Sequence, residues 1–204
     1  MHFVKQLLTV AAIAISSLAA AEPGVTDSTI TLGMSSPFSG PNGAYGTEMR
    51  EVVERYFDQV NKAGGVNGRK LALVALDDGY ETDRTVANTN TLINDKKVFS
   101  LLAYYGSSPT TEAMNKVFGP ARVPLVGTIS GAGTLREPIA KNPGSAYMFN
   151  IRASYADETE AIVNQLVSLG LKNIAVFYQN DGFGKSGLEG VTAALKKHNL
   201  TPTV

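Results

Sequence analysis

Four times along this chain an apolar run of strand length gives way to a short loop of small and polar residues, and a helix-spaced stretch follows. The loops are Ser35–Gly43, Gly106–Thr111, Gly127–Gly133 and Asn180–Gly187. Strands that alternate with helices require a parallel sheet joined by right-handed crossovers, with helices covering both faces. In an open α/β sheet of that kind such loops gather at the carboxyl ends of the strands, where ligands bind in the crevice. They offer backbone N–H groups, hydroxyls and helix starts, which suit a small anionic or zwitterionic ligand. They offer almost no side chains for catalysis.

The individual elements follow from periodicity. Ile30–Met34 and Leu71–Leu76 read as strands bounded by turn residues. Between them Met49, Val52, Val53, Tyr56, Phe57 and Val60 recur at helical spacing, and Gly64-Gly65 ends the helix. A helix over about Arg84–Asn94, a strand over Val98–Tyr104, a helix over Thr110–Phe118 and a short strand over Val123–Val126 continue the alternation. Lys141-Asn142-Pro143-Gly144-Ser145 is a turn-rich junction, and beyond it the alternation starts afresh. Met148–Ile151 predicts a strand. Ile162, Val163, Leu166 and Leu169 predict a helix ending at Gly170, with Ser154 and Asp157 spaced as a capping box. Ile174–Tyr178 predicts a buried strand and Leu188–His198 a helix. The expected division is 1–21 as a signal peptide, 22–142 as a first unit and 143–204 as the beginning of a second. A second sheet of two or three strands would leave an open edge, so the chain is expected to be incomplete at its C-terminus, a tight dimer covering that edge being the alternative.

The signal peptide is read from Lys5, an apolar stretch from Leu7 to Leu18, and Ala19-Ala20-Ala21 before Glu22. Cleavage is expected near Ala21/Glu22, giving a periplasmic location. The chain has no cysteine, so its core rather than disulfides must hold it in an oxidising compartment. A lipid anchor on a new N-terminal Cys is likewise not expected. Eighteen basic residues balance eighteen acidic ones without a basic cluster. That disfavours nucleic acid or an anionic membrane surface as a partner and leaves small molecules.

Catalytic and cofactor motifs fail one by one. Gly182-Phe183-Gly184-Lys185-Ser186-Gly187 spells G-x-G-x-x-G, but three polar residues separate it from its strand. The acidic residue of a dinucleotide fingerprint would fall at or past Val204. A phosphate-binding P-loop ending in Gly184-Lys185-Ser186 would need glycine where Gln179 stands. Gly127-Thr128-Ile129-Ser130-Gly131 is one residue too long for a G-x-S-x-G nucleophile turn, and the only histidine after the signal, His198, belongs to a C-terminal helix. With one such histidine, no Cys and no H-E-x-x-H, a metal site is not expected. No catalytic residue and no cofactor is assigned. Asp77, Asp78 and Asp83 fit turn formation and helix capping. Tyr45, at the mouth of the first helix, fits a ligand wall and local packing equally well.

Several segments in order carry a family resemblance: Ser39-Gly40-Pro41 with Tyr45-Gly46, the run Asn61–Leu71, Asp77-Asp78, Gly106–Thr110, Phe149–Glu158, and Asp181–Lys185. Together they resemble the branched-chain amino-acid type of periplasmic binding protein over nearly all of the chain after the signal. The resemblance implies the type I periplasmic-binding-protein fold, with two doubly wound parallel-sheet lobes, and a chain truncated in its second lobe and C-terminal parts. It implies a receptor that closes on a small ligand and delivers it to the permease subunits of an ABC importer, monomeric when full length. It also implies a ligand carboxylate held by the loop of Ser107 and Ser108 and by the loop of Ser130, Gly131 and Ala132. Tyr45 would line the cleft and Phe183 would cover the ligand, with Phe standing where Tyr is more usual. The acidic partner for a ligand ammonium would lie past Val204. A ligand-sensing receptor of the same fold and an extracellular α/β enzyme are the alternatives.

Overall fold

The computed structural model describes residues 22–204, so the signal sequence expected over 1–21 lies outside the described residues. Five parallel strands form one sheet: β1 (Thr29–Ser36), β2 (Lys70–Asp77), β3 (Ser100–Leu102), β4 (Leu125–Val126) and β5 (Met148–Phe149). Their order is β2-β1-β3-β4-β5. The chain moves outward from β1 to β2, then crosses back to lay β3 on the other side of β1. That reversal makes the carboxyl ends of β1 and β3 a topological switch point, the place where an open sheet presents a crevice.

Three helical segments supply the first three crossovers, and the 3-10 turns Gly133–Arg136 and Pro143–Tyr147 lie in the fourth. Helix α1 (Gly43–Lys62) joins β1 to β2 and ends before Gly64 and Gly65, whose φ values of 105° and 75° turn the chain back. Helix α2 (Thr82–Asn90) runs on through a π-helical turn, Thr91–Asp95. Helix α3 (Ser107–Ala113) also continues through a π-helical turn, Met114–Phe118, and closes with Gly119–Ala121. The expected helices near 84–94 and 110–118 are therefore present, each with a one-residue widening that apolar spacing does not reveal. Leu92, Leu101, Tyr104, Met114, Phe118 and Leu125 meet as one buried core between these helices and the sheet. Fully burying side chains of this size contributes about 1.5–3 kcal/mol each.

The Met148–Ile151 run departs from expectation. Instead of opening a second sheet, Met148–Phe149 pairs parallel with β4, Leu125 opposite Met148, and Met148 joins the first core. An apolar dipeptide fits either sheet, and pairing partners are invisible in its own sequence. Met148–Phe149 thus belongs to the same sheet as β1–β4. Beyond it, helix α4 (Tyr155–Ser168) packs on helix α5 (Gly182–Lys197) through Val163, Ala194 and Leu195, with Val167, Ile174, Val191 and Leu200 alongside. The capping box is formed as expected: Asp157 N–H donates to Ser154 Oγ at 3.0 Å and Ser154 N–H donates to Asp157 Oδ2 at 3.4 Å. Of the strand expected over Ile174–Tyr178, one parallel bridge is present, Ala175 with Thr203.

Candidate functional site

At the switch point the loops after β1, β2 and β3 face the first turns of α4 and α5 across a cleft of about 400 Å³. One side carries Tyr45, Tyr80 and Tyr105; the other carries Arg152, Tyr155 and Phe183. Asn42, Gly106, Ser107, Ile129 and Gln179 complete the lining.

The aromatic rings order one another. Tyr45 stacks on Tyr105 with centroids 5.3 Å apart and planes at 18°, and Tyr80 meets Tyr105 edge-on at 5.7 Å. Opposite them Tyr155 and Phe183 meet edge-on at 5.4 Å, with the Arg152 guanidinium 5.1 Å from the Tyr155 centroid. Arg152 is also gripped by Glu158 through two bonds of 2.9 Å, from Nε to Oε1 and from Nη2 to Oε2. The hydrogen bonds to Glu158 raise its pKa further, so the cleft carries one permanently charged cation.

Why Tyr45 reaches the cleft follows from the start of α1. A Cβ on Gly46 would lie 1.9 Å from the Pro37 carbonyl oxygen. Only glycine lets the helix enter this close to the β1 loop. Asp77 fixes the same loop: its Oδ1 accepts from Phe38 N–H at 2.7 Å and its Oδ2 from Ser39 Oγ at 2.6 Å and Arg84 Nη2 at 2.9 Å. Burial alone would raise the Asp77 pKa, but these hydrogen bonds and one from Gly79 N–H hold it well below the usual carboxylate range. Its neighbour Asp78 is buried and its pKa is raised by that burial, against bonds from Ser35 Oγ at 2.7 Å and Tyr80 N–H at 2.9 Å.

Of the seven residues expected to contact ligand, Tyr45, Ser107 and Phe183 line the cleft. The other four are not among its lining residues, and Ser108 instead faces a neighbouring hollow beside Tyr80 and Asp181. Ser130 Oγ lies 2.8 Å from Ser107 Oγ and accepts from Ala132 N–H at 3.2 Å, so it braces Ser107 and its own loop. Gly131 packs beneath Tyr155, whose N–H donates to the Gly131 carbonyl at 2.8 Å, and Ala132 is buried. Ser108 Oγ accepts from Gly182 N–H at 2.8 Å, tying α3 to α5. Sequence reasoning missed Tyr80, Tyr105, Arg152 and Tyr155 as lining residues. The signal available for Tyr80 was its place just after the strand-ending Asp77-Asp78-Gly79. Among the described residues no group of three or more His, Cys, Asp or Glu side chains is arranged for a metal ion.

Chemically the cleft supplies the Ser107 hydroxyl, one cation and aromatic walls. That set suits a small molecule with a carboxylate and an apolar body.

The family described as periplasmic binding protein matches residues 29–204. An amino acid binding protein of Pseudomonas aeruginosa is 28% identical over 171 residues, covering 82% of this chain and 44% of that protein. A Leu/Ile/Val-binding protein homolog 3 of Brucella melitensis is 24% identical over 175 residues, covering 84% of this chain and 45% of the relative. Among solved structures, a substrate-binding periplasmic protein from Ralstonia solanacearum superposes with a TM-score of 0.79 at 33% identity, over 85% of this chain and 47% of that one. The chain spans about half the length of these relatives, which are named as binding proteins rather than enzymes.

Proposed function

Because the chain belongs to the periplasmic binding protein family, in its Leu/Ile/Val-binding type, we propose that it forms part of an extracytoplasmic solute receptor for an ABC importer, capturing an amino acid or related small carboxylate between two lobes. The first lobe is the five-stranded sheet with its helices; the second begins after Phe149. The observation that carries the reading is the cleft itself, where Ser107 on a first-lobe loop faces Tyr155 and Phe183 of the second across an aromatic-lined space.

In this reading the ligand carboxylate takes hydrogen bonds from the Ser107 hydroxyl and the amides of the same turn. Each charge-assisted bond is worth about 1.5–3 kcal/mol. Tyr45 and Phe183 enclose the apolar part, and Ser130, Gly131 and Ala132 hold the facing loop in place behind Ser107. Export to the periplasm through the 1–21 segment and delivery to permease subunits complete the role. No helix among the described residues is long and apolar enough to cross a membrane.

The test is titration calorimetry on the full-length protein carrying this segment, with leucine, isoleucine, valine, other amino acids and small organic carboxylates as probes. One-site binding to a member of the panel, lost in Ser107→Pro and weakened about tenfold in Phe183→Ala, is expected. No binding across the panel, or turnover of any member, would overturn the reading.

A further inference from the structure

Tyr80 is a cleft residue whose side chain hydrogen-bonds across to the opposite side. Its ring lines the cleft against Tyr105, and its hydroxyl donates to Asp181 Oδ2 at 3.1 Å. The other oxygen of that carboxylate, Oδ1, accepts from Gly184 N–H at 3.0 Å and so caps α5. Phe183, between the cap and that amide, forms part of the opposite wall. One carboxylate therefore links Tyr80 of the first side to the turn that presents Phe183 on the second. Gln179 Nε2 also donates to Asp181 Oδ2, at 2.6 Å.

The backbone at Tyr80 is held in a conformation a bulky residue avoids. Its φ is 69°, directly after Gly79 at 57°, in the left-handed region that L-residues enter at a cost. Asp77 Oδ1 accepts from Gly79 N–H at 3.0 Å and Asp78 Oδ1 from Tyr80 N–H at 2.9 Å, fixing both residues of the turn. Strain kept at a ligand cleft and over-determined by its surroundings points to a role for the side chain it aims.

We propose that Tyr80 is a positioning residue that couples the two lobes, its hydroxyl bond to Asp181 favouring the closed arrangement and setting Phe183 against the ligand. The proposal rests on the two-lobe reading. It requires that removing the hydroxyl shift the balance between closed and open lobes without damaging either lobe.

The experiment uses the full-length protein with spin labels at Glu51→Cys on α1 and Lys196→Cys on α5, both exposed positions, after any cysteine past Val204 has been replaced by serine. Interlobe distances are measured by pulsed electron resonance without added ligand. Tyr80→Phe should lower the ratio of short to long distances about fivefold, the loss expected for one partly exposed hydrogen bond to a carboxylate. Asp181→Ser keeps a capping oxygen but is too short to reach the phenol, and should do the same. The double variant should go no further than either single one, whereas Asp181→Asn, which keeps an acceptor, should stay close to the unsubstituted protein. Two populations in the same proportion in all variants would overturn the coupling and leave the two-lobe reading standing. A single unchanging distance in every protein would overturn both. A lowered thermal midpoint with an unchanged ratio would mark Tyr80 as structural and overturn the proposal as well.

Discussion

The Ser107 and Ser130 hydroxyls lie 2.8 Å apart with both residues almost wholly buried, at 1% and 0% exposure. One faces the cleft and the other does not, so the pair separates two effects that a single serine would merge. Ser107→Ala should cost ligand affinity, with a smaller loss of stability than Ser130→Ala, because Ser130 keeps the Ala132 amide as a partner. Ser130→Ala leaves the Ala132 amide without its acceptor and Ser107 without its partner. It should lower stability by about 1–3 kcal/mol and weaken binding secondarily. Denaturant unfolding beside calorimetry checks both, and equal affinity losses at unchanged stability would contradict the assignment.

A methyl group at position 131 would meet the Tyr155 ring at 2.5 Å and the Tyr155 backbone nitrogen at 2.8 Å. Because backbone cannot swing aside as a side chain can, Gly131→Ala should displace the start of α4. The expected cost is about 1–3 kcal/mol of stability, with an affinity loss because Tyr155 moves. Thermal unfolding and calorimetry read the two.

Asp77 gives a pH signature. Its folded-state pKa is depressed, against an ordinary value of 3.8, so the ionised group stabilises the fold at and above that value. This contribution is lost as pH falls towards the folded-state pKa. Asp77→Asn should therefore be destabilising at pH 7, and the gap to the unsubstituted protein should narrow steadily between pH 4 and pH 2. Denaturant midpoints across that range would reveal a constant gap if the carboxyl charge were irrelevant.

Ser154→Ala removes the capping box of α4 and should cost about 1 kcal/mol. Ser154 does not line the cleft, so ligand affinity is expected to change little. Calorimetry on the variant would show a large affinity change if α4 registration governed the site directly.

Much of this architecture is legible in the residues because burial imposes periodicity. The spacing of Val53, Phe57 and Val60 reports α1, and Ser154 with Asp157 announces the start of α4. Loop side chains obey no such rule. Tyr80 reads as an isolated aromatic in polar surroundings and Tyr105 as the tail of an apolar strand, and only the sheet order, which sets the β2 and β3 loops on either side of β1, brings them to one cleft with Tyr45. Ser130 illustrates the converse. The family resemblance expects its loop to hold the ligand, but which hydroxyl points inward depends on the turn at Gly131, and residue type does not encode that. The strand at Met148–Phe149 shows the same limit for topology, since two apolar residues carry no mark of the sheet they join.

The sheet tapers from eight-residue β1 and β2 to two-residue β4 and β5. A long ladder opens only with the whole domain, whereas a two-residue ladder can release its few bonds locally. Amide hydrogen exchange across this chain should therefore be graded, slowest in β1 and fastest towards β5. The Gly127–Ala132 loop follows two-residue β4, so its brace on Ser107 is expected to open to exchange well before the β1–β2 ladder does.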